Sequence, residues 1–146
     1  MNRRTLLKLS AAALTGSSVT AQSAALRVAT IEDFAALWDF REFDLDAQPA
    51  FVLRVPAPRT DLARARVLRV KPDFYLLGVL RECSHNGCAV TWSAAASSDR
   101  EFVCHCHGSF FRASDGELIA GFAPLPLTAV RLELRGDEVF AFRIIT

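Results

Sequence analysis

Apolar and polar positions alternate most cleanly near the C-terminal end of the chain. Val130, Leu132 and Leu134 are interleaved with Arg131, Glu133 and Arg135, Gly136-Asp137 follows, and a second apolar-rich run occupies 139–144. A period of two on either side of a Gly-Asp pair predicts a β-hairpin. Phe51, Leu53 and Val55 alternate in the same way with Val52 and Arg54. The run from Phe74 to Leu80 is almost wholly apolar and has the length of a strand buried on both faces. One brief helix is expected over 31–38, with Thr30 as its N-cap and Glu32 and Asp33 in its first turn. The predicted fold is all-β, an antiparallel β-sandwich or barrel-like body with a Cys/His-rich region inserted between its strands.

Composition narrows the class. The 146 residues suffice for one domain with a real core. With 51% hydrophobic and 23% charged residues, the chain is neither disordered, nor collagen-like, nor a coiled coil. Three of the 17 Lys and Arg residues, Arg3, Arg4 and Lys8, fall within residues 1–21, which hold no acid. The remainder has 14 basic against 16 acidic residues, a formal −2, which argues against a nucleic-acid partner.

Those three cations belong to an address. A basic start, an apolar stretch over 9–19 and the small residues around Ala21 read as an export signal over 1–21, cut before Gln22. Asn2-Arg3-Arg4-Thr5-Leu6-Leu7-Lys8 resembles the twin-arginine signal, a route for proteins exported already folded. An ordinary secretory signal and a retained membrane anchor are the alternatives, though Lys8, Gly16, Gln22 and several serines interrupt the apolar run. The folded part is expected on the periplasmic side, where a disulfide persists.

All four Cys and all three His lie within residues 83–107. They form two clusters, Cys83-Ser84-His85-Asn86-Gly87-Cys88 and Cys104-His105-Cys106-His107-Gly108-Ser109, with 18 residues between His85 and Cys104. Each offers a thiolate and an imidazole at chelating spacing, Cys83 with His85 and Cys104 with His107, so two loops can supply two sulfur and two nitrogen donors to one metal centre. Cys88 and Cys106 remain, one per loop, and a bond between them would tie the loops together. Structural zinc could use the four donors, but leaves the second Cys pair and the glycines unexplained. Two structural disulfides would leave the histidine spacing as coincidence. His105, between ligand positions, reads as a solvent-facing loop residue, and Trp38 and Trp92 as packing.

The two clusters resemble the Rieske iron-sulfur proteins, whose pattern is Cys-x-His-x-Gly-Cys followed by Cys-x-Cys-His-Gly-Ser. By that resemblance residues 22–146 are a Rieske domain, Cys83 and Cys104 hold one iron of a [2Fe-2S] cluster, His85 and His107 hold the other, and Cys88 and Cys106 form the bridging disulfide. Two neutral imidazoles in place of two thiolates raise the reduction potential. Ser109 matches the family's serine that donates to a bridging sulfide. Phe111 stands where members of high potential carry a tyrosine, which implies a lower potential here. Gly121-Phe122-Ala123-Pro124 resembles the family's Gly-Pro-Ala-Pro cover loop, with Phe122 for the first proline.

The implied function is exported electron transfer without a catalytic site of its own, proton-coupled through the His ligands. Quinol and a cytochrome b or c are the implied partners, as in quinol:cytochrome c reductase, with membrane association through a partner or a retained anchor. The small subunit of a molybdenum oxidoreductase of the arsenite oxidase type is the alternative; a zinc-stabilised binding module is the alternative of another class. A Rieske oxygenase catalytic subunit is excluded, since no His remains outside 85–107 for its mononuclear iron.

Overall fold

In the computed structural model, which describes residues 25–85, 87–93 and 100–142, two strands are buried on both faces because each separates two apolar cores. These are β3 (Gln48–Val55) and β5 (Phe74–Leu80), paired antiparallel from Ala50↔Leu80 to Val55↔Tyr75. Phe51, Leu53, Val55, Leu77 and Val79 face one core, and Val52, Phe74 and Leu76 face another. Side chains alternate across a strand, so a double-sided burial needs the near-continuous apolar run seen at 74–80.

Around this pair runs a seven-stranded sheet in the order β1-β11-β10-β5-β3-β2, with β4 (Val67–Lys71) also on β5. Its other members are β1 (Leu26–Thr30), β2 (Phe40–Leu45), β10 (Ala129–Arg135) and β11 (Glu138–Phe142). The hairpin expected at Gly136-Asp137 is β10–β11, in register from Arg131↔Phe142 to Arg135↔Glu138; residues 143–144 of the expected second strand lie outside the described residues. The expected signal over 1–21 lies outside them as well.

The helix expected over 31–38 is shorter, a single 3-10 turn at Ile31–Phe34. Thr30 and Asp33 do cap it, the Thr30 N–H donating to Asp33 Oδ2 at 2.9 Å. The backbone hydrogen bond and Arg41 hold the Asp33 carboxyl below its ordinary value. Propagation stops because Asp39 Oδ2 takes the Ala36 N–H at 2.8 Å and Trp38, at φ 75°, donates its N–H to Arg54 O of β3.

The insertion between β5 and β10 is more than two loops. It carries its own four-stranded sheet in the order β6-β7-β8-β9, built from Thr91–Ser93, Glu101–Cys104, Ser109–Arg112 and Leu118–Ala120. Val90, Phe102, Phe111, Ala113, Ala123 and Leu127 pack from the insertion onto Phe51, Leu53 and Val79 of the large sheet. Phe51 stacks on Phe102 at 5.4 Å between centroids, at 12° to it. The short helix α1 (Asp61–Arg66) connects β3 to β4, capped by Thr60, whose Oγ1 accepts the Ala63 N–H at 3.1 Å. Among the described residues no helix is long and apolar enough to cross a membrane.

Candidate metal centre

The two Cys/His loops leave the insertion at the same kind of turn. Gly87 donates its N–H to Cys83 O at 2.9 Å, and Gly108 to Cys104 O at 3.0 Å. Both glycines sit in the left-handed region, φ 70° and 69°, where a side chain would be strained. Repetition of one turn explains why Cys-x-x-x-Gly recurs with the same offset in both loops.

The turns sort the donors by depth. The thiols of Cys83 and Cys104 are buried against the core shared by the two sheets. His85 and His107 are exposed, with their Nδ1 atoms 3.3 Å apart and their rings 4.6 Å apart at 87°. The two imidazoles therefore bring the same ring nitrogen, Nδ1, to one place on the surface of the loops.

Cys88 and Cys106 form a disulfide across the loops, with Cα atoms 6.5 Å apart. The Cys104 sulfur lies within 4.8 Å of both. Those three sulfurs do not form a metal site, because two of them are bonded to each other and have no thiolate to offer. Cys83, His85, Cys104 and His107, the four singled out by spacing, are outside that bond, two of them buried and two exposed. His105 is exposed and stands beside Thr91 Oγ1 at 2.9 Å, outside that set.

Ser109 opens β8 opposite Cys104 in the register. Its hydroxyl is wholly buried and accepts the Ala123 N–H at 3.2 Å, which leaves its own proton for another acceptor. Phe111, two residues along the strand, is wholly buried in the core that also holds Cys83, Cys104 and Leu127. The 121–125 segment passes beside the first ligand loop, with Phe122 75% exposed and its ring 6.5 Å from that of His85. Gly121 makes the approach possible: at φ 111°, a Cβ there would stand 2.5 Å from Ser109 Cα.

Sequence reasoning missed two residues that organise this region, Ser84 and Arg66. Ser84 is visible only as a hydroxyl inside the first cluster, and its partner is Leu125, 41 residues away. Arg66 is at the end of α1, a helix that Thr60-Asp61 could have announced as an N-cap and acidic first turn.

Among curated proteins, the chain is similar to the cytochrome b6-f complex iron-sulfur subunit 1 of Synechocystis sp., at 40% identity over 75 residues, covering 50% of this chain and 40% of that protein. The cytochrome b6-f complex iron-sulfur subunit of Chlorobaculum thiosulfatiphilum is 34% identical over 74 residues, 51% of this chain and 39% of that one. The chain thus spans about two fifths of the length of these relatives. Among solved structures, the soluble domain of the Rieske protein II of Sulfolobus acidocaldarius shares the fold with a TM-score of 0.64 at 20% identity, covering 84% of this chain and 79% of that one. The plasma membrane Rieske protein of Synechocystis does so with a TM-score of 0.57 at 24% identity, covering 81% and 99%. The model of the Rieske [2Fe-2S] domain matches residues 39–130, from β2 through both Cys/His loops to β10, and the chain belongs to that family.

Proposed function

We propose that this chain is an exported one-electron carrier in which Cys83 and Cys104 hold one iron of the [2Fe-2S] cluster and His85 and His107 the other. The residues present fit the group: two buried thiols, two imidazoles converging through Nδ1, a buried hydroxyl with a proton to give, and two glycine turns that bring backbone close. The cluster supplies a reversible iron couple when bound, at a potential raised by the two neutral ligands.

The observation that carries this reading is the exposure of the two histidines while the two cysteines of the same loops are buried. Buried sulfurs leave solvent away from the cysteine side, and exposed imidazoles make the histidine side the route for an electron. The second nitrogen of an imidazole bound to iron through the first can hold or release a proton. A donor that surrenders an electron together with a proton suits such a surface, and a quinol is one. The similarity to cytochrome b6-f subunits supports quinol and cytochrome partners over a molybdenum subunit.

The disulfide supports export, since such a bond persists in oxidising compartments, and Arg3-Arg4 within an apolar leader supports the twin-arginine route over 1–21.

The deciding experiment is electron paramagnetic resonance of dithionite-reduced protein, with iron and acid-labile sulfide measured on the same sample. The expected result is the low average g of a His-ligated [2Fe-2S] centre with two irons per chain. A silent sample containing zinc would overturn the reading in favour of a structural binding module. Fractionation of cells carrying the paired substitutions Arg3→Lys and Arg4→Lys tests the route: loss of the periplasmic pool is expected, and unchanged export would overturn it.

A further inference from the structure

The last residue of α1 leaves its helix to join the two ends of the segment that runs beside His85. Arg66 Nη1 donates to Asp115 O at 2.6 Å, and Nη2 donates to Leu127 O at 2.8 Å. Asp115 lies in the turn after β8, and Leu127 lies on the approach to β10. Between those carbonyls run β9 and 121–125, so one guanidinium closes the base of the 115–127 excursion. Leu127 also donates its N–H to Gly116 O at 2.9 Å, so the two ends already touch where Arg66 grips them.

The surroundings are built for an arginine. Gly116 is at φ 76°, and a Cβ there would lie 2.9 Å from Arg66 Nη1, so the guanidinium rests on bare backbone. Arg112 occupies the acidic side chains of the turn, reaching Asp115 Oδ2 at 2.9 Å and Glu117 Oε2 at 3.0 Å, which leaves the Asp115 carbonyl to Arg66. Burial pulls the Arg66 guanidinium below its ordinary value, against the nearby charges of Asp115 and Glu117. A half-buried cation that donates to two backbone carbonyls, 12 residues apart in the chain, has a geometric task. A planar fork can serve two carbonyls at once, whereas an ammonium is a point charge.

We propose that Arg66 is the positioning residue for the cover loop: from the large sheet's connecting helix it fixes the root of 115–127, and so holds 121–125 beside His85. The proposal rests on the Rieske reading above and adds to it a control point outside both ligand loops.

The test compares wild-type full chain, loaded with cluster, against Arg66→Met and Arg66→Lys. Amide hydrogen exchange at Ala123 and Leu125, bleaching of the visible spectrum by an iron chelator, the reduced-state g values and the thermal midpoint are read for each. For Arg66→Met, loss of two charge-assisted bonds is expected to speed exchange at Ala123 and Leu125 by about tenfold or more. Bleaching should rise several-fold and the g values should shift, while amides of β3 and β5 stay protected. Arg66→Lys should fall between the two, and decides the matter alone where the methionine variant fails to fold. A lowered midpoint with unchanged cover-loop exchange, bleaching and g values would overturn the proposal, leaving Arg66 a mere anchor of α1. A wild-type sample without the His-ligated spectrum would instead overturn the functional reading, and the exchange data would still report on the clamp.

Discussion

Ser84 grips Leu125 by both of its backbone groups: its hydroxyl donates to Leu125 O at 2.7 Å and accepts the Leu125 N–H at 3.3 Å. With Ser109 receiving the Ala123 N–H, each ligand loop contributes one serine to the same cover segment. Ser84→Ala removes both Leu125 bonds, worth about 1 kcal/mol each in a partly exposed setting. Chelator bleaching should then quicken by about thirtyfold, and Ser84→Thr, which keeps the hydroxyl, should stay near the wild-type rate. Equal rates for serine and alanine would show that the loop is held by other contacts.

The four proposed ligands make a stricter prediction. Cys83→Ala, His85→Ala, Cys104→Ala or His107→Ala should each abolish the reduced-state spectrum and the bound iron, because each removes a donor from a set with no spare. Cys88 and Cys106 cannot substitute, being bonded to each other. A native spectrum from any of the four variants would refute the assignment.

Cys88→Ser or Cys106→Ser should leave a protein that takes up the cluster but keeps it poorly. The bond spans 18 residues in sequence, and loop-closure entropy for that span is about 3 kcal/mol. Iron content after reconstitution should be near that of wild type, while the thermal midpoint of the loaded form falls. An unchanged midpoint would mean that the hydrogen-bonded turns at Gly87 and Gly108 already hold the loops without the tie.

How much of this was legible in the sequence depended on how local the signal was. The β10–β11 hairpin has its alternation and its turn residues within a dozen positions, and β3 and β5 carry theirs within eight. The donors were legible because the turn ending at Gly87 and the turn ending at Gly108 fix their spacing within each loop. The small sheet was not, since β6 and β9 are three residues each, too short for a period to register. Arg66 was not, since its partners are 49 and 61 residues away and are carbonyls, which every residue has. The over-long helix at 31–38 came from a correct cap at Thr30 with no local sign that Trp38 would be pulled to Arg54.

Phe111 offers the sharpest test of how the centre is tuned. Its ring is wholly buried in the core that also holds the thiols of Cys83 and Cys104, two positions along β8 from Ser109. A tyrosine there would carry a hydroxyl into a site whose nearby acceptors include the cysteine sulfurs. A hydrogen bond donated to a thiolate ligand stabilises the reduced cluster, which bears one more negative charge than the oxidised one, so Phe111→Tyr should raise the potential. For a one-electron couple about 59 mV corresponds to about 1.4 kcal/mol, so a bond strengthened by half that on reduction would appear as a rise of about 30 mV. Ser109→Ala removes a donor and should lower the potential by a comparable amount, with the cluster retained. Protein-film voltammetry of the two variants reads both signs directly; a potential unchanged or lowered in Phe111→Tyr would mean that the hydroxyl finds another acceptor and that Phe111 has no part in setting the couple.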